Sequence, residues 1–517
     1  MKKNHFLTLL SLVTLVIPLF LSSCDPSDKR DEYDGDKLIV SLRNLYFDSY
    51  SGGDNYTDFI EDKFKLKLNL SNYSWADWTT QVNGAINGNN VEDVFHFNLD
   101  SYNFASTYEY WAQGEVIKAL PSDLSNWPNI VSLLENTSNI DALKIDGKLY
   151  GIPIAKNIDR PETTFAPFTY VYRRDWAKNL NVYQEGDVYT WQQFNALLHA
   201  LNLHFKNDAS SAAIGDVEWG FPSITNFYKD SPHCFTKDDE GKVISNFHSS
   251  KYIEGLNKAK EFVGNQHYYQ NQYSSKDGEM NKRYAAQKLG VLYENLSYSN
   301  YNKLRTDYIR NYPNVDVDEA TAILKVKGPD GKFALEGAEN WFSMTFFDAD
   351  ISDLKQAKVL DLINWLLGEE GTQFAMYGIE GYDYDLINDE PVLKDKDEYK
   401  TKMNGAKYLR YMATLGYDTL HYDPLVNIDS LNLLNNWTDE MSNALEANEL
   451  RIFEEESQIR WLSSPLKNQH SGRMLSNANA YVTQYAFNSL TSIDAYVAKL
   501  NIDPWESVLN EINGALK

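Results

Sequence analysis

Cysteine is almost absent from this sequence of 517 residues, which contains only two. Cys24 ends an apolar leader described below, which leaves Cys234 alone. An intramolecular disulfide is then excluded, so the packing of the core must stabilise the fold. No motif surrounds Cys234, and we expect a packed small side chain there rather than a nucleophile. The 43% of hydrophobic residues is enough to bury large cores.

Basic residues are also scarce, because 48 Lys and Arg stand against 73 Asp and Glu, for a net charge of −25. Phosphate backbones are bound by clusters of Lys and Arg. The longest basic runs here are short pieces such as Arg173-Arg174. The composition therefore predicts no nucleic-acid partner, and the acidic surface keeps the protein soluble and off anionic lipid.

The common catalytic motifs are missing from the sequence. There is no G-x-S-x-G, H-E-x-x-H, P-loop or G-x-G-x-x-G. The nine His are scattered, and His199 and His204 are spaced wrongly for one face of a helix. A pair of carboxylates for glycoside hydrolysis could be drawn from 73 acidic residues, so no single pair is informative. We predict that the protein is not an enzyme, with a secreted glycosidase as an unsupported alternative.

An export signal opens the chain. Two lysines precede an apolar stretch and two serines, and Cys24 follows. We interpret 1–23 as a signal peptide. Its end, Leu21-Ser22-Ser23-Cys24, resembles the lipobox of bacterial lipoproteins, in which the cysteine is lipidated and becomes the mature N-terminus. A membrane span is the competing interpretation, but only about 16 residues are apolar where about 20 are needed. A third is that Cys24 is incidental.

The acylated cysteine and the polar stretch that follows predict a tethered protein. Residues 24–36 form the lipidated tether, because the polar part after Cys24 includes Pro26 and Gly35 and lacks an apolar pattern. Two or more acyl chains give a stable anchor. The expected location is the extracellular face of the cell membrane. The mature chain of roughly 490 residues suffices for two or three domains.

Alternating strand and helix signals open the mature chain. The apolar run 37–42 predicts a strand, the 3.6-residue period of 75–88 a helix, and 93–97 a second strand. This order is a βαβ unit and predicts a parallel sheet. Ligands bind off the carboxyl ends of such strands, where Phe97 and Asp100 lie. The 35 Tyr, 24 Phe and 12 Trp also suit sugar rings, which have apolar faces and polar rims.

Four segments carry a family resemblance. They are DGKLYGIP at 146–153, YRRDW at 172–176, LINWLLGEEG at 362–371 and YGIEGYDY at 377–384, and the tail 494–497 fits as well. In order, these segments resemble the extracellular solute-binding proteins of bacterial ABC importers, family 1, in particular the large lipoprotein branch tied to oligosaccharide uptake. The glycines at 368, 371, 378 and 381 are expected to break helices and permit tight turns.

The resemblance implies an α/β fold of the periplasmic-binding-protein-like type 2, with two lobes joined by crossover strands around a ligand cleft. Closure around the ligand is then a hinge motion. We expect lobe one at 37–155 with 296–342, lobe two at 165–290 with 348–517, and crossings near 154–168, 289–295 and 340–348. The implied partners are an oligosaccharide ligand and the transmembrane subunits of an ABC permease, and the protein is expected to be a monomer.

The resemblance fails at one place. Some relatives carry a calcium loop after the helix that a capping box, Thr190 to Gln193, opens here. In this chain the corresponding region, 207–216, offers only Asp208 and Asp216. Calcium needs a dense set of oxygen ligands. We therefore predict no metal and no cofactor.

The candidate ligand-binding residues lie at strand ends and crossings. In the sugar hypothesis, aromatic side chains stack on pyranose faces, while Asp100, Glu294 and Arg43 bind hydroxyl groups. The alternative for each aromatic residue is an ordinary place in the core. The predicted ligand-binding residues are Arg43, Tyr46, Phe97, Asp100, Phe227, Tyr228, Glu294, Tyr298 and Trp341.

Two further binding functions remain open at this stage. One is a peptide-binding member of the same fold, because one fold serves many solutes. The other is a surface glycan-capture lipoprotein that partners an outer-membrane transporter. Such proteins are dominated by helical repeats, whereas a βαβ unit opens this chain.

Overall fold

A computed structural model describes most of the chain after residue 30. The described residues are 31–46, 50–74, 77–99, 102–156, 163–217, 222–271, 278–396, 399, 404–414, 425–487 and 489–516, with only the backbone at 102–106. The predicted signal peptide, the predicted lipidation site Cys24 and the predicted ligand-binding residue Asp100 lie outside these ranges. Within them, no helix combines the length and apolar character needed to cross a membrane.

Strands and helices alternate along the chain, which confirms the predicted α/β class. The strands are β1 (Tyr33–Asp34), β2 (Lys37–Asn44), β3 (Leu66–Asn72), β4 (Val94–Asn98), β5 (Gly151–Ala155), β6 (Phe168–Arg173), β7 (Val188–Tyr189), β8 (Ala212–Asp216), β9 (Phe235–Lys237), β10 (Val243–Ser245), β11 (Leu289–Asn295), β12 (Thr321–Val326), β13 (Phe333–Glu336), β14 (Trp341–Phe347), β15 (Tyr384–Ile387), β16 (Glu390–Leu393) and β17 (Leu450–Phe453).

The helices fall between and after these strands. They are α1 (Asn55–Phe64), α2 (Trp78–Asn87), α3 (Tyr102–Gln113), α4 (Pro128–Glu135), α5 (Arg174–Asn179), α6 (Trp191–His204), α7 (Ser250–Gly264), α8 (Glu279–Ala285), α9 (Tyr298–Asn311), α10 (Val317–Ala320), α11 (Asp353–Leu366), α12 (Glu369–Tyr377), α13 (Asn404–Arg410), α14 (Ile428–Glu446), α15 (Ser457–Arg460), α16 (Pro465–Ala486), α17 (Ile493–Leu500) and α18 (Trp505–Ala515).

The first lobe is built on a six-stranded sheet in the order β1–β2–β4–β14–β5, with β3 paired to β2. Strands β2 and β4 are parallel, as the opening βαβ pattern predicts. The chain also forms α1 and β3 between them, which the pattern did not indicate. Alternate residues of β2 are buried on one face of the sheet, against α1, α11 and α13. Helices α2 and α3 cover the other face.

The second lobe is built on a five-stranded sheet in the order β7–β12–β6–β11–β8. The central strand β6 is antiparallel to both of its neighbours. Helix α6 packs on one face, and α8, α9 and α14 pack on the other. The predicted capping box starts α6, because the Thr190 hydroxyl accepts from the Gln193 N–H and the Gln193 side chain accepts from the Thr190 N–H.

A helical layer completes the second lobe. Helices α16, α17 and α18 pack against α7 and the β9–β10 hairpin. Cys234 is fully buried in this layer and lies 3.6 Å from the Ser471 carbonyl oxygen. Burial raises the pKa of its thiol well above the ordinary value. The cysteine is therefore the packed small side chain that was expected.

Strand pairing divides the chain between the lobes differently from the predicted boundaries. Strand β14 pairs with β4 and β5 of the first lobe, and α11 to α13 pack on the same sheet, so the described residues of 348–414, predicted for lobe two, belong to lobe one. Strand β12 pairs with β6, and α9 packs behind it, so 298–326 belongs to lobe two and not to lobe one. The predicted crossing at 289–295 is strand β11, which lies wholly within the second sheet.

Candidate functional site

The two lobes meet at a cleft of about 200 Å³. Its walls come from the segments that connect the lobes, from the carboxyl end of β11 and from one face of α14. The lining residues are Lys156, Thr163, Phe165, Ala166, Pro167, Phe168, His233, Asn295, Leu296, Ser297, Tyr298, Glu336, Gly337, Ala338, Glu339, Phe342, Leu431, Leu434, Asn435, Trp437, Thr438 and Arg460.

Two connecting segments form an antiparallel ribbon along one wall of the cleft. The Ala166 N–H donates to the Glu336 carbonyl oxygen at 2.8 Å, and the Ala338 N–H donates to the Thr164 carbonyl oxygen at 2.9 Å. The Lys156 N–H donates to the Asn340 carbonyl oxygen at 2.9 Å. The ribbon therefore runs from one lobe to the other, where a hinge for lobe closure would lie.

Helix α14 forms the facing wall. Leu431, Leu434, Asn435 and Thr438 line the cleft at the spacing i, i+3, i+4 and i+7, which is one face of a helix. The helix begins beside Tyr298, whose hydroxyl accepts from the N-cap N–H at 2.7 Å. Apolar and hydrogen-bonding side chains therefore share this wall.

Two phenylalanine rings enter the cleft from opposite lobes and are only half-buried. Phe168, at the start of β6, stacks against Tyr293 with ring centroids 6.2 Å apart. Phe342 belongs to β14 of the first lobe, and Lys156 lies 5.9 Å from its ring centroid. These flat apolar surfaces are available to a ligand held between the lobes.

A β-bulge gives Phe342 this position. The register of β14 against β5 shifts between Trp341 and Ser343. Beyond the bulge, Met344 and Phe346 face the core that contains α3. Regular alternation would send Phe342 to that core, but Trp341 takes the place instead and Phe342 lines the cleft. Bulges often re-aim a side chain beside a site in this way.

The lobes also touch beyond the ribbon, where the end of α15, the start of α16 and the chain between them reach the first lobe. Ser463 donates to Glu109 Oε1 at 2.6 Å, and Asn468 Nδ2 donates to Glu109 Oε2 at 3.4 Å. Arg460 donates to the Leu99 carbonyl oxygen at 3.3 Å. Glu109 lies in α3 of lobe one, so its carboxylate connects the two lobes directly.

Replacing Glu109 by alanine removes both of its hydrogen bonds to the second lobe. A typical hydrogen bond contributes about 0.5–1.5 kcal/mol, and the bond from Ser463 lies at an exposed position. We expect a larger radius of gyration for the unliganded variant by small-angle X-ray scattering, because the open form gains population. Glu135→Ala, on the exposed surface of α4 in the same lobe, is the matched control. Equal radii for the two variants would show that Glu109 does not hold the lobes.

One predicted ligand-binding residue, Tyr298, lines the cleft. Phe227 lines a small adjoining pocket together with Phe168 and Trp437. Glu294 is 7% exposed and accepts from the Asn295 N–H at 2.8 Å. The predicted residues of the second crossing therefore lie near the cleft, with Tyr298 at its wall.

The remaining predicted residues lie elsewhere. Phe97 is buried edge-on against Trp111, with ring centroids 4.5 Å apart. Tyr228 packs in the second-lobe core. Trp341 is 2% exposed and donates from Nε1 to the Ser138 carbonyl oxygen at 3.1 Å. The structure thus gives these three side chains core contacts.

Arg43 and Tyr46, after the first strand, contact other parts of the first lobe. The Arg43 guanidinium donates to Gln81 Oε1 at 2.9 Å and to the Asn72 carbonyl oxygen at 3.2 Å. The Tyr46 hydroxyl donates to Ser343 Oγ, and its ring lies 6.5 Å from that of Phe342. Tyr46 therefore does not line the cleft itself but lies next to Phe342, which does.

In the loop at 207–216, side chains of the protein donate hydrogen bonds to Asp208. Asp208 accepts from Ser211 Oγ at 2.7 Å and from Lys288 Nζ at 2.9 Å. Hydrogen bonds from Ser210 and Ser211 lower the pKa of Asp208 below its ordinary value. Among the side chains that the structure describes, no three His, Cys, Asp or Glu are grouped so that they could hold a metal ion.

Known structures share this architecture over nearly the whole chain. An HMO-binding, ABC-transporter-associated solute-binding protein from Bifidobacterium longum infantis is 16% identical, with a TM-score of 0.64, and the match covers 93% of this chain and 98% of that one. An extracellular solute-binding protein from Bifidobacterium longum subsp. infantis is 14% identical, with a TM-score of 0.66 and coverage of 93% and 99%.

A third match comes from Streptococcus pneumoniae. The N-glycan transport solute-binding protein NgtS is 15% identical, with a TM-score of 0.60, and the match covers 92% of this chain and 98% of that one. No family model and no curated protein sequence matches the chain. At these identities the likeness establishes the fold. The chain therefore has the two-lobed α/β fold of the solute-binding proteins of ABC transporters, as the sequence resemblance predicted.

Proposed function

We propose that the protein captures an oligosaccharide in the interlobe cleft and delivers it to the permease of an ABC importer. The observation that carries this proposal is the pair of half-buried rings, Phe168 and Phe342, which face the cleft from opposite lobes. An aromatic side chain can stack on the apolar face of a pyranose, and polar groups beside it can bind the hydroxyl groups at the rim of the sugar. Asn435 and Thr438 place hydrogen-bonding groups on the facing helix.

The structural neighbours support the sugar assignment. One of them is an HMO-binding protein and another is an N-glycan transport protein. The neighbours are described as binding proteins and not as enzymes, which agrees with the lack of catalytic motifs. A monomer that closes on one ligand and then docks on two transmembrane subunits is the arrangement that we propose.

We also propose that Cys24 is lipidated and that the protein works at the extracellular face of the cell membrane. The support comes from the sequence of 1–24 alone, with its basic, apolar and small segments before the cysteine. Tethering would keep the receptor at a high effective concentration beside its permease. Cys24→Ser should release the protein into the culture medium, whereas Cys234→Ser should leave it in the membrane fraction.

The binding proposal is tested with the purified chain from residue 31 onwards on a glycan array and a peptide array. We expect glycans to bind and to raise the melting temperature, because ligand at 100 times its Kd stabilises by about 2.7 kcal/mol. Peptide hits without glycan hits would assign the cleft to peptides. Turnover of a bound glycan, followed by mass spectrometry, would contradict the non-enzymatic assignment.

A further inference from the structure

The lining of the cleft contains as many acidic as basic side chains. The lining carries two acids, Glu336 and Glu339, and two bases, Lys156 and Arg460. The imidazole of His233 is neutral at physiological pH, because burial first and the charges of Arg460 and Lys229 next lower its pKa to about 3. A ligand anion would therefore find no unopposed positive charge.

The two bases already have neighbours. Arg460 donates to the Leu99 carbonyl oxygen and lies close enough to the buried Glu455 to stabilise its carboxylate. The Lys156 ammonium lies over the ring of Phe342, 5.9 Å from the centroid. An ammonium over an aromatic face interacts with the ring quadrupole. Neither group is arranged as the paired fork that typically receives a carboxylate or sulfate.

A third acid lies at the rim of the cleft beside the ribbon. A Cβ atom on Gly337, which lines the cleft, would lie 2.6 Å from Glu454 Cβ and 2.7 Å from Glu454 Oε2. Glu456 lies nearby but forms an ion pair with Lys237. Partial desolvation raises the pKa of Glu454, and the charges of Glu339 and Glu456 add to the effect. Further negative charge is thus unfavourable at this rim.

We infer that the cleft selects neutral oligosaccharides and excludes glycans that carry carboxylate or sulfate groups, with Glu339 and Glu454 as the excluding residues. This inference rests on the proposed function. Charges beyond a Debye length, about 8 Å at physiological ionic strength, are largely screened, so the rim acids matter more than the net charge. A like charge near them should weaken binding roughly tenfold or more.

An array of matched pairs tests the inference with the unmodified protein. Each pair holds a neutral oligosaccharide and its uronic-acid counterpart of the same linkage, such as mannotetraose with tetramannuronate. We expect hits among neutral members, with their acidic counterparts bound at least about tenfold more weakly. Equal or tighter binding of the acidic members would overturn the inference but keep the proposed function. A complete lack of glycan binding would overturn both.

The variant Glu454→Gln tests whether the weaker binding of acidic glycans arises at the rim of the cleft. We compare a neutral glycan found on the array with its acidic counterpart. The Kd of the acidic glycan divided by the Kd of the neutral glycan should fall severalfold in this variant. Glu449→Gln is the matched control, because Glu449 also lies in the segment around β17 but is paired with Lys327 on the surface. An unchanged ratio in Glu454→Gln, or an equal fall in the control, would contradict the role of Glu454. Added salt should also lower the ratio for the unmodified protein.

Discussion

Replacement of Phe342 by alanine should weaken oligosaccharide binding by about 2 kcal/mol or more, roughly 30-fold in Kd. The ring is the main apolar surface that lobe one contributes to the cleft. Its loss removes a stacking face and also the support beneath the Lys156 ammonium. Isothermal titration calorimetry with a glycan found on the array measures the change.

The fold should survive this change, because Phe342 is only half-buried. We expect the melting temperature of the unliganded variant to stay within a few degrees of the unmodified protein. Phe168→Ala should behave similarly from the second lobe. Tyr110→Ala is the control, since Tyr110 is an exposed aromatic residue of lobe one, 72% accessible and outside the cleft. Full affinity in Phe342→Ala would remove the ring from the site.

The contrast with Trp341 shows what the sequence could not supply. Trp341 and Phe342 both lie on the predicted crossing at 340–348, and of the two only Trp341 was a predicted ligand-binding residue. Strict alternation along a strand would put the two side chains on opposite faces in one fixed order. The bulge between Trp341 and Ser343 reverses that order. A bulge depends on how β14 meets β5, and no local pattern in the sequence marks it.

The predicted lobe boundaries were wrong for a related reason. The strand and helix pattern predicted only the α/β class, and the family resemblance implied two lobes, which the two large sheets of the structure confirm. Which sheet a strand joins depends on pairing between residues far apart, such as Phe346 with Phe95 and with Gly151. Features that depend on residues close in sequence were predicted correctly. The capping box of α6, for example, depends on residues three positions apart. The parallel pairing of β2 with β4 was also predicted, from the strand–helix–strand order, although α1 and β3 lie between the two strands.

The glycines of 368–381 were expected to break helices and permit turns, and the structure separates their roles. Gly378 and Gly381 take positive φ values of 91° and 78°, which side chains rarely adopt. Gly371, by contrast, lies inside α12 and permits a close approach to α11. A Cβ atom at this position would lie 2.0 Å from the Trp365 carbonyl oxygen and 2.5 Å from the Leu366 Cα.

Gly371→Ala should therefore destabilise the first lobe by about 3 kcal/mol or more, at the upper end of the range for overpacked cores. The obstacle is backbone, so no side chain can rotate away, and α12 must move off α11. Helix α11 carries Leu360 and Ile363, both fully buried in the first-lobe core. The shift should reach that core and lower the urea midpoint of the first unfolding transition.

Gly84→Ala is the matched control for this prediction. Gly84 lies in helix α2 of the same lobe, and a Cβ atom there would meet nothing within 4 Å. Alanine is favoured over glycine in a helix by about 1 kcal/mol, so this variant should be as stable as the unmodified protein or slightly more stable. The two identical substitutions are expected to have opposite signs because one glycine is needed for space and the other is not. If Gly371→Ala kept the midpoint of the unmodified protein, the close contact between α11 and α12 would be contradicted.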